Sequence, residues 1–219
     1  MKRVLALYYS QTGQLRSALD SFLSGLDPRE FQVEFAELRP RAAYPFPWSF
    51  FRFLDVFPES VLGIAPEIEP PGFDPEAHYD LIVLGYTVWY LAPSLPVQGF
   101  LRSPHARVLA GKPVITLVAC RNMWHTASVR MKRELARLGA EHCDNVAVTD
   151  SGPAWTTFVT TPRWMLTGRR DRSPARFGGT KVKESETKSP ATGASDNTCR
   201  AFAMSRRRTN SRIGTRAKP

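Results

Sequence analysis

The chain has 219 residues, 42% of them hydrophobic, enough for one globular domain with a substantial core. It contains no run of 18 apolar residues, which excludes a hydropathic membrane span. The net charge of +10 is local: residues 1–162 hold 15 Lys/Arg against 16 Asp/Glu, and residues 163–219 hold 15 against 4.

Met1-Lys2-Arg3 ahead of Val4–Tyr9 has too short an apolar run and no small-residue cleavage site, so a mature cytoplasmic start is expected. Cys120, Cys143 and Cys199 are odd in number, widely spaced and free of CxxC, which indicates neither a disulfide framework nor a zinc site. Val4–Tyr9 reads as a buried strand running into the tight polar loop Ser10-Gln11-Thr12-Gly13. Leu15, Leu19, Phe22, Leu23 and Leu26 then recur at helical spacing. Phe31–Leu38 alternates apolar and polar, as a half-buried edge strand does. Residues 39–76 are rich in proline and aromatics, with a short helix expected from Trp48 to Val56 and stopped by Pro58.

Leu81–Tyr86 is apolar enough for a central parallel strand. Val97–Leu101 can form a short helix, and Val114–Ala119 reads as the fourth strand. Ala127, Met131, Leu135 and Leu138 predict a helix with Thr126 as N-cap and Gly139 as its stop. Asn145–Val148 is a fifth strand. Strands alternating with helices predict a doubly wound α/β parallel sheet, whose ligand lies beyond the carboxyl ends of the strands.

Three loops occupy that edge. Ser10-Gln11-Thr12-Gly13-Gln14 combines hydroxyls, a glycine and free backbone N–H groups at a helix start, with no acid before Asp20. A phosphate is favoured there by the unpaired donors and the helix dipole. GxxxxGK[ST] and GxGxxG are absent, which argues against an NTPase and a Rossmann dinucleotide site. Strand ends Tyr9-Ser10 and Gly85-Tyr86 lack the aspartates of a receiver domain.

The loop resembles the flavodoxin phosphate loop, S/T-x-T-G-x, at Ser10, Thr12, Gly13 and Gln14; Leu15 replaces the usual following hydroxyl. The resemblance implies a flavodoxin-like five-stranded sheet of order 2-1-3-4-5 that binds FMN through Ser10, Gln11, Thr12, Gly13 and Gln14. Thr87-Val88-Trp89-Tyr90 resembles the aromatic loop of flavodoxin-like reductases, with Trp89 and Tyr90 placed to stack on a flavin. Cys120-Arg121-Asn122-Met123-Trp124-His125 follows strand four, where Arg121 or Asn122 could hydrogen-bond the flavin carbonyls. Cys120 and Trp124 complete the cofactor-binding set; no reactivity is assigned to Cys120. His125 and Tyr90 are the candidate catalytic residues. No metal site is expected.

LALYYSQTGQL, Pro45–Trp48, Phe57–Ser60 and Phe158–Gly168 together resemble the dialkylresorcinol condensing enzymes of aryl polyene and dialkylresorcinol biosynthesis, over about residues 3–168. That resemblance implies an FMN-dependent aromatisation of a cyclohexanedione-type polyketide ring to a resorcinol. Its partner would be a small hydrophobic ring substrate, NAD(P)H is a candidate electron donor, and a homodimer is a family expectation. A generic NAD(P)H-dependent quinone or FMN reductase, an electron-carrier flavodoxin and a module that has lost FMN are the rival readings.

Residues 1–168 are thus expected to form the FMN-binding domain. Residues 169–219 are expected to be a disordered basic tail with no specific nucleic-acid site. The tail offers no amphipathic helix to cover the sheet after strand five. A shift of reading frame near residues 170–175 would account for that and leave one sheet face partly bare.

Overall fold

A computed structural model of the chain describes residues 1–120, 123–149, 163, 165–168, 181–185, 199, 200 and 202. The apolar run at the amino terminus is strand β1 (Lys2–Tyr8), followed by helix α1 (Gln14–Leu23) and strand β2 (Phe31–Glu37). Helix α2 (Phe50–Leu62) precedes strand β3 (Leu81–Trp89), the short β4 (Ala92–Pro93) and helix α3 (Leu95–Arg102). Strand β5 (Pro113–Cys120), helix α4 (His125–Arg137), strand β6 (Glu141–Thr149) and strand β7 (Lys181–Ser185) complete the order.

The sheet runs β2-β1-β3-β5-β6-β7. The first five of these strands pair in parallel. With β5 and β6 as the fourth and fifth predicted strands, this is the expected 2-1-3-4-5 order. Side chains alternate across β1 as the two-residue period requires. Leu5, Leu7 and Tyr9 enter one core with residues of α2, α3 and α4, and Val4, Ala6 and Tyr8 enter the other with α1. Gly85 lets α1 lie close on the sheet, because a Cβ there would come within 2.8 Å of Leu19 Cδ1.

Several boundaries differ from expectation. α2 does not stop at Pro58 but runs through it to Leu62. Proline removes one ladder bond, to the Leu54 carbonyl, and Leu54 is exposed enough for water to take its place. The ends are held independently: Ser49 Oγ accepts from Arg52 N at 3.2 Å, and Gly63 caps the other end at φ 70°. α4 begins at His125 with Trp124 in the N-cap position, two residues earlier than a Thr126 cap would place it.

The carboxyl-terminal segment also departs from the expectation at the residues described. Lys181–Ser185 pairs antiparallel with β6, Thr149 opposite Lys181. Cys199, Arg200 and Phe202 are helical. Phe202 is buried on the α1 face against Phe22 (5.7 Å between ring centres) and Phe31 (6.2 Å), so that face is covered there. Cys143 and Cys199 form a disulfide, with Cα atoms 6.4 Å apart across 56 residues of chain. Their wide spacing in sequence carried no information about this proximity.

Candidate active site

The carboxyl ends of β1, β3 and β5 converge at the point where the strand order reverses, between β1 and β3. The loop leaving β1 is built to receive an anion. Gly13 sits at φ 76° in the left-handed region, immediately before α1, with nothing within 4 Å of where a Cβ would project. Among the described residues no side chain caps α1, and no acceptor meets the backbone N–H groups of residues 11–15. The first turn of α1 holds no acid, and Asp20 further on is held by Arg16 at 3.0 Å. Ser10 Oγ is buried with no hydrogen-bond partner among the described residues. An orphaned hydroxyl and free N–H groups at a helix start are costly unless water or a ligand meets them.

Gln11 points its amide away from this cradle. Its Nε2 donates to the carbonyls of Tyr44 (3.1 Å) and Pro45 (3.3 Å), tying the loop to the aromatic stretch. That stretch forms a packed cluster around Trp89, whose ring meets Tyr9 (5.9 Å), Tyr44 (5.1 Å) and Trp48 (5.1 Å) edge-on. The backbone N–H of Trp48 donates to the Met165 carbonyl at 2.8 Å.

Thr87, Val88 and Trp89 are not loop residues as expected; they are the last three of β3. The turn is Tyr90-Leu91, both at positive φ (47° and 66°), joining Trp89 to Ala92 as a two-residue hairpin. This is the backbone of a type I′ turn, occupied here by two side chains that pay a conformational penalty. The sequence concealed it because Asn-Gly or Asp-Gly usually marks such turns. Ser94 N donates to the Thr87 carbonyl and closes the hairpin base at 2.9 Å.

Trp89 is buried, so its ring serves the cluster, and Tyr90 is held from the other side. Tyr90 OH donates to the Phe53 carbonyl at 2.7 Å, and its ring packs on Phe53 and Phe57. Burial raises the Tyr90 phenol above its ordinary range. A hydroxyl so engaged is a poor proton donor or acceptor for a reacting group. Tyr9 and Tyr86 are likewise raised by burial, and Tyr86 OH is paired with Ser128 Oγ at 3.0 Å.

On the β5 side Cys120 ends the strand outside any disulfide. Trp124 is buried, and His125 stacks on it at 3.9 Å between ring centres while remaining exposed at the head of α4. Arg121 and Asn122 lie outside the described residues. The structure thus brings the β1 loop, the end of β3 and the head of α4 to one edge. An open groove of about 640 Å³ along the outer face of α4 includes His125 but no residue of the β1 loop.

Among the described residues no cluster of His, Cys, Asp or Glu could hold a metal ion, and no helix is long and apolar enough to cross a membrane.

No family model matches the chain, and neither does any curated protein. Solved structures do. One is a flavoprotein from Lactobacillus acidophilus NCFM in complex with FMN, 21% identical with a TM-score of 0.54, over 69% of this chain and 95% of that one. Another is a provisionally described flavoprotein from Bacteroides uniformis ATCC 8492, 18% identical with a TM-score of 0.53, over 71% and 94%. At these identities the likeness concerns the fold: this chain has the flavodoxin-like α/β architecture.

Proposed function

We propose that the chain is an FMN-dependent oxidoreductase. The observation that carries the proposal is the β1 loop, where buried, unpartnered Ser10 Oγ and unaccepted N–H groups stand at the head of α1, at the reversal of strand order. The FMN complex of the Lactobacillus flavoprotein, which has the same fold, supports this choice of phosphate ligand. FMN, when bound, supplies the capacity to pass one or two electrons.

The chain's own residues bind and orient. Ser10, Thr12 and the N–H groups through Gln14 hold the phosphate, and the α1 dipole adds to its binding. Thr87 to Tyr90 form one wall of the ring site, held rigid by the aromatic cluster behind Trp89. Cys120 and Trp124 form the other wall, and Arg121 and Asn122, which lie outside the described residues, are assigned to the flavin carbonyls on the sequence resemblance alone. His125, exposed and stacked on Trp124, is the residue we assign to exchange a proton with a substrate.

The resemblance to dialkylresorcinol condensing enzymes supports a narrower reading. It makes the substrate a cyclohexanedione-type ring and the product its aromatic resorcinol, with NAD(P)H as a candidate electron partner. A generic quinone or FMN reductase and an electron-carrying flavodoxin are the rival activities on the same site.

Titration of FMN into the purified chain, followed by flavin fluorescence, tests the proposal. Saturable quenching is expected. Thr12→Glu, which sets a carboxylate against the phosphate, should weaken binding by roughly 100-fold, the scale of a like-charge contact in a partly buried site. A folded protein that binds no FMN would remove the proposed activity.

A further inference from the structure

The bond between Cys143 and Cys199 joins two unequal parts of the molecule. Among the described residues, every buried apolar side chain except Met165 and Phe202 lies within residues 4–147. Both cores are therefore built almost wholly without the carboxyl-terminal segment. That segment brings one described ring to the α1 side. Phe202, 1% exposed, packs on Phe22 and Phe31. It stands three residues after Cys199, the spacing that sets two helical side chains on one face. The disulfide thus lies where it holds that ring down.

β6 is shaped to bring Cys143 there. Its pairing with β5 slips by one residue between Val114 and Ile115, opposite His142 and Asp144, so Cys143 has no Cα partner on β5. In a regular strand, residues three apart point to opposite faces. Here His142 Nε2 and Asn145 Oδ1 both meet Thr116 Oγ1, at 3.0 and 2.8 Å, while Cys143 and Val146 both face the α1 core. A slip of this kind re-aims a side chain. Cys143 also lies outside Asn145–Thr149, the part of β6 that β7 pairs with. Both cysteines are half-buried rather than sealed in a core, the setting in which a disulfide exchanges with outside thiols.

We propose that Cys143–Cys199 is a thiol–disulfide exchange site that latches the carboxyl-terminal segment over α1, and that a dithiol opens it. One thiolate of the dithiol attacks a sulfur of the pair, and the bond between the two cysteines breaks. The second thiol of the dithiol then displaces the mixed disulfide, and the reagent leaves as a cyclic disulfide. The protein gains two electrons and two protons and ends with two free thiols. Opening withdraws one ring and leaves the core, so Phe22 and Phe31 are uncovered while the sheet stays assembled. Cys120 takes no part, since it ends β5 on the order of 20 Å along the strands from the level of Cys143. The inference stands apart from the FMN reading.

Hydrogen exchange read by mass spectrometry, on the full chain without FMN and with dithiothreitol as the dithiol, tests it. Thiol titration after denaturation should find Cys120 alone free in the air-oxidised chain and all three cysteines free after reduction. Reduction should speed exchange at the amides of Cys199, Arg200 and Phe202 by about 10-fold or more, as local opening does, and leave β1 and β3 unchanged. Binding of a hydrophobic dye should rise in step, and oxidised glutathione should reverse both changes. Cys199→Ser should exchange at the reduced rate with and without the dithiol, and Cys120→Ser should respond as the wild type does. An air-oxidised chain with all three thiols free overturns the inference. So does exchange near Phe202 that reduction leaves unchanged. Faster exchange across β1 and β3 in the reduced chain or in Cys199→Ser overturns it too, because the bond would then be a staple of the whole fold and not a latch.

Discussion

Among the described residues the side-chain hydrogen bonds between the β1 loop and the aromatic stretch from Tyr44 to Phe57 come from Gln11, yet the two regions are built on opposite terms. The loop leaves polar groups unmet: Ser10 Oγ and the N–H groups ahead of α1 have no partner among the described residues. The stretch leaves apolar groups unmet, and only on one side: Tyr44, Trp48 and Phe53 pack inward while Phe50, Phe51 and Phe57 face out. Each kind of deficit states the chemistry that would fill it. An anion suits the first and another apolar surface the second. Under the proposed function, recognition of a phosphate would rest on backbone geometry, whereas shape at the ring site would rest on packed side chains.

Substitutions should separate the two. Trp89→Ala, at the centre of the cluster, is expected to lower the unfolding free energy by about 3–5 kcal/mol in a urea titration. FMN affinity would fall with it through the loss of the site's wall. Thr12→Glu should do the reverse, sparing the urea midpoint while weakening FMN. If both variants change stability and affinity in proportion, the division between the two regions is wrong.

Acid provides a control that touches neither region. Burial, reinforced by the charge of Lys132, lowers the His142 pKa from 6.5 to about 4. Its Nε2 lies 3.0 Å from Thr116 Oγ1 on the neighbouring strand. In this range the unfolded chain binds a proton that the folded chain refuses. The stabilisation is therefore complete above pH 6.5 and is lost as pH falls from there toward 4. The full loss is roughly 3 kcal/mol. His142→Gln should flatten that part of the stability profile. FMN affinity at pH 7 should not change. The smallest effect is expected at the hairpin. Leu91→Gly removes a side chain from φ 66° and should raise stability by up to ~1 kcal/mol in thermal melts.

Legibility in the sequence followed the range of the forces involved. The parallel strands are announced by their own apolar runs, and the β1 loop by residues adjacent in chain. Pro58 misled because its cost is one local bond, while the caps that hold α2 sit at Ser49 and Gly63. The extension of β3 to Trp89 was hidden because Tyr90-Leu91 carries no turn signature. The carboxyl-terminal contributions could not be read locally at all. Lys181–Ser185 is too polar to announce a strand, Phe202 is a single ring in a basic segment, and Cys143 finds Cys199 only after folding. Of the candidate site, the polar loop and its glycine ahead of α1 were legible and the occupation of Trp89 and Tyr90 by neighbouring aromatics was not, since those contacts reach 30 to 50 residues back along the chain.

The Gln11 bridge makes the two regions thermodynamic partners. Its amide donates to the carbonyls of Tyr44 and Pro45. A ligand that orders the loop must then also order the stretch, and by reciprocity anything that immobilises the stretch raises affinity at the loop. Inorganic phosphate alone should slow trypsin cleavage after Arg41 and Arg52, and Gln11→Ala should abolish that protection while leaving Ser10 and Gly13 in place.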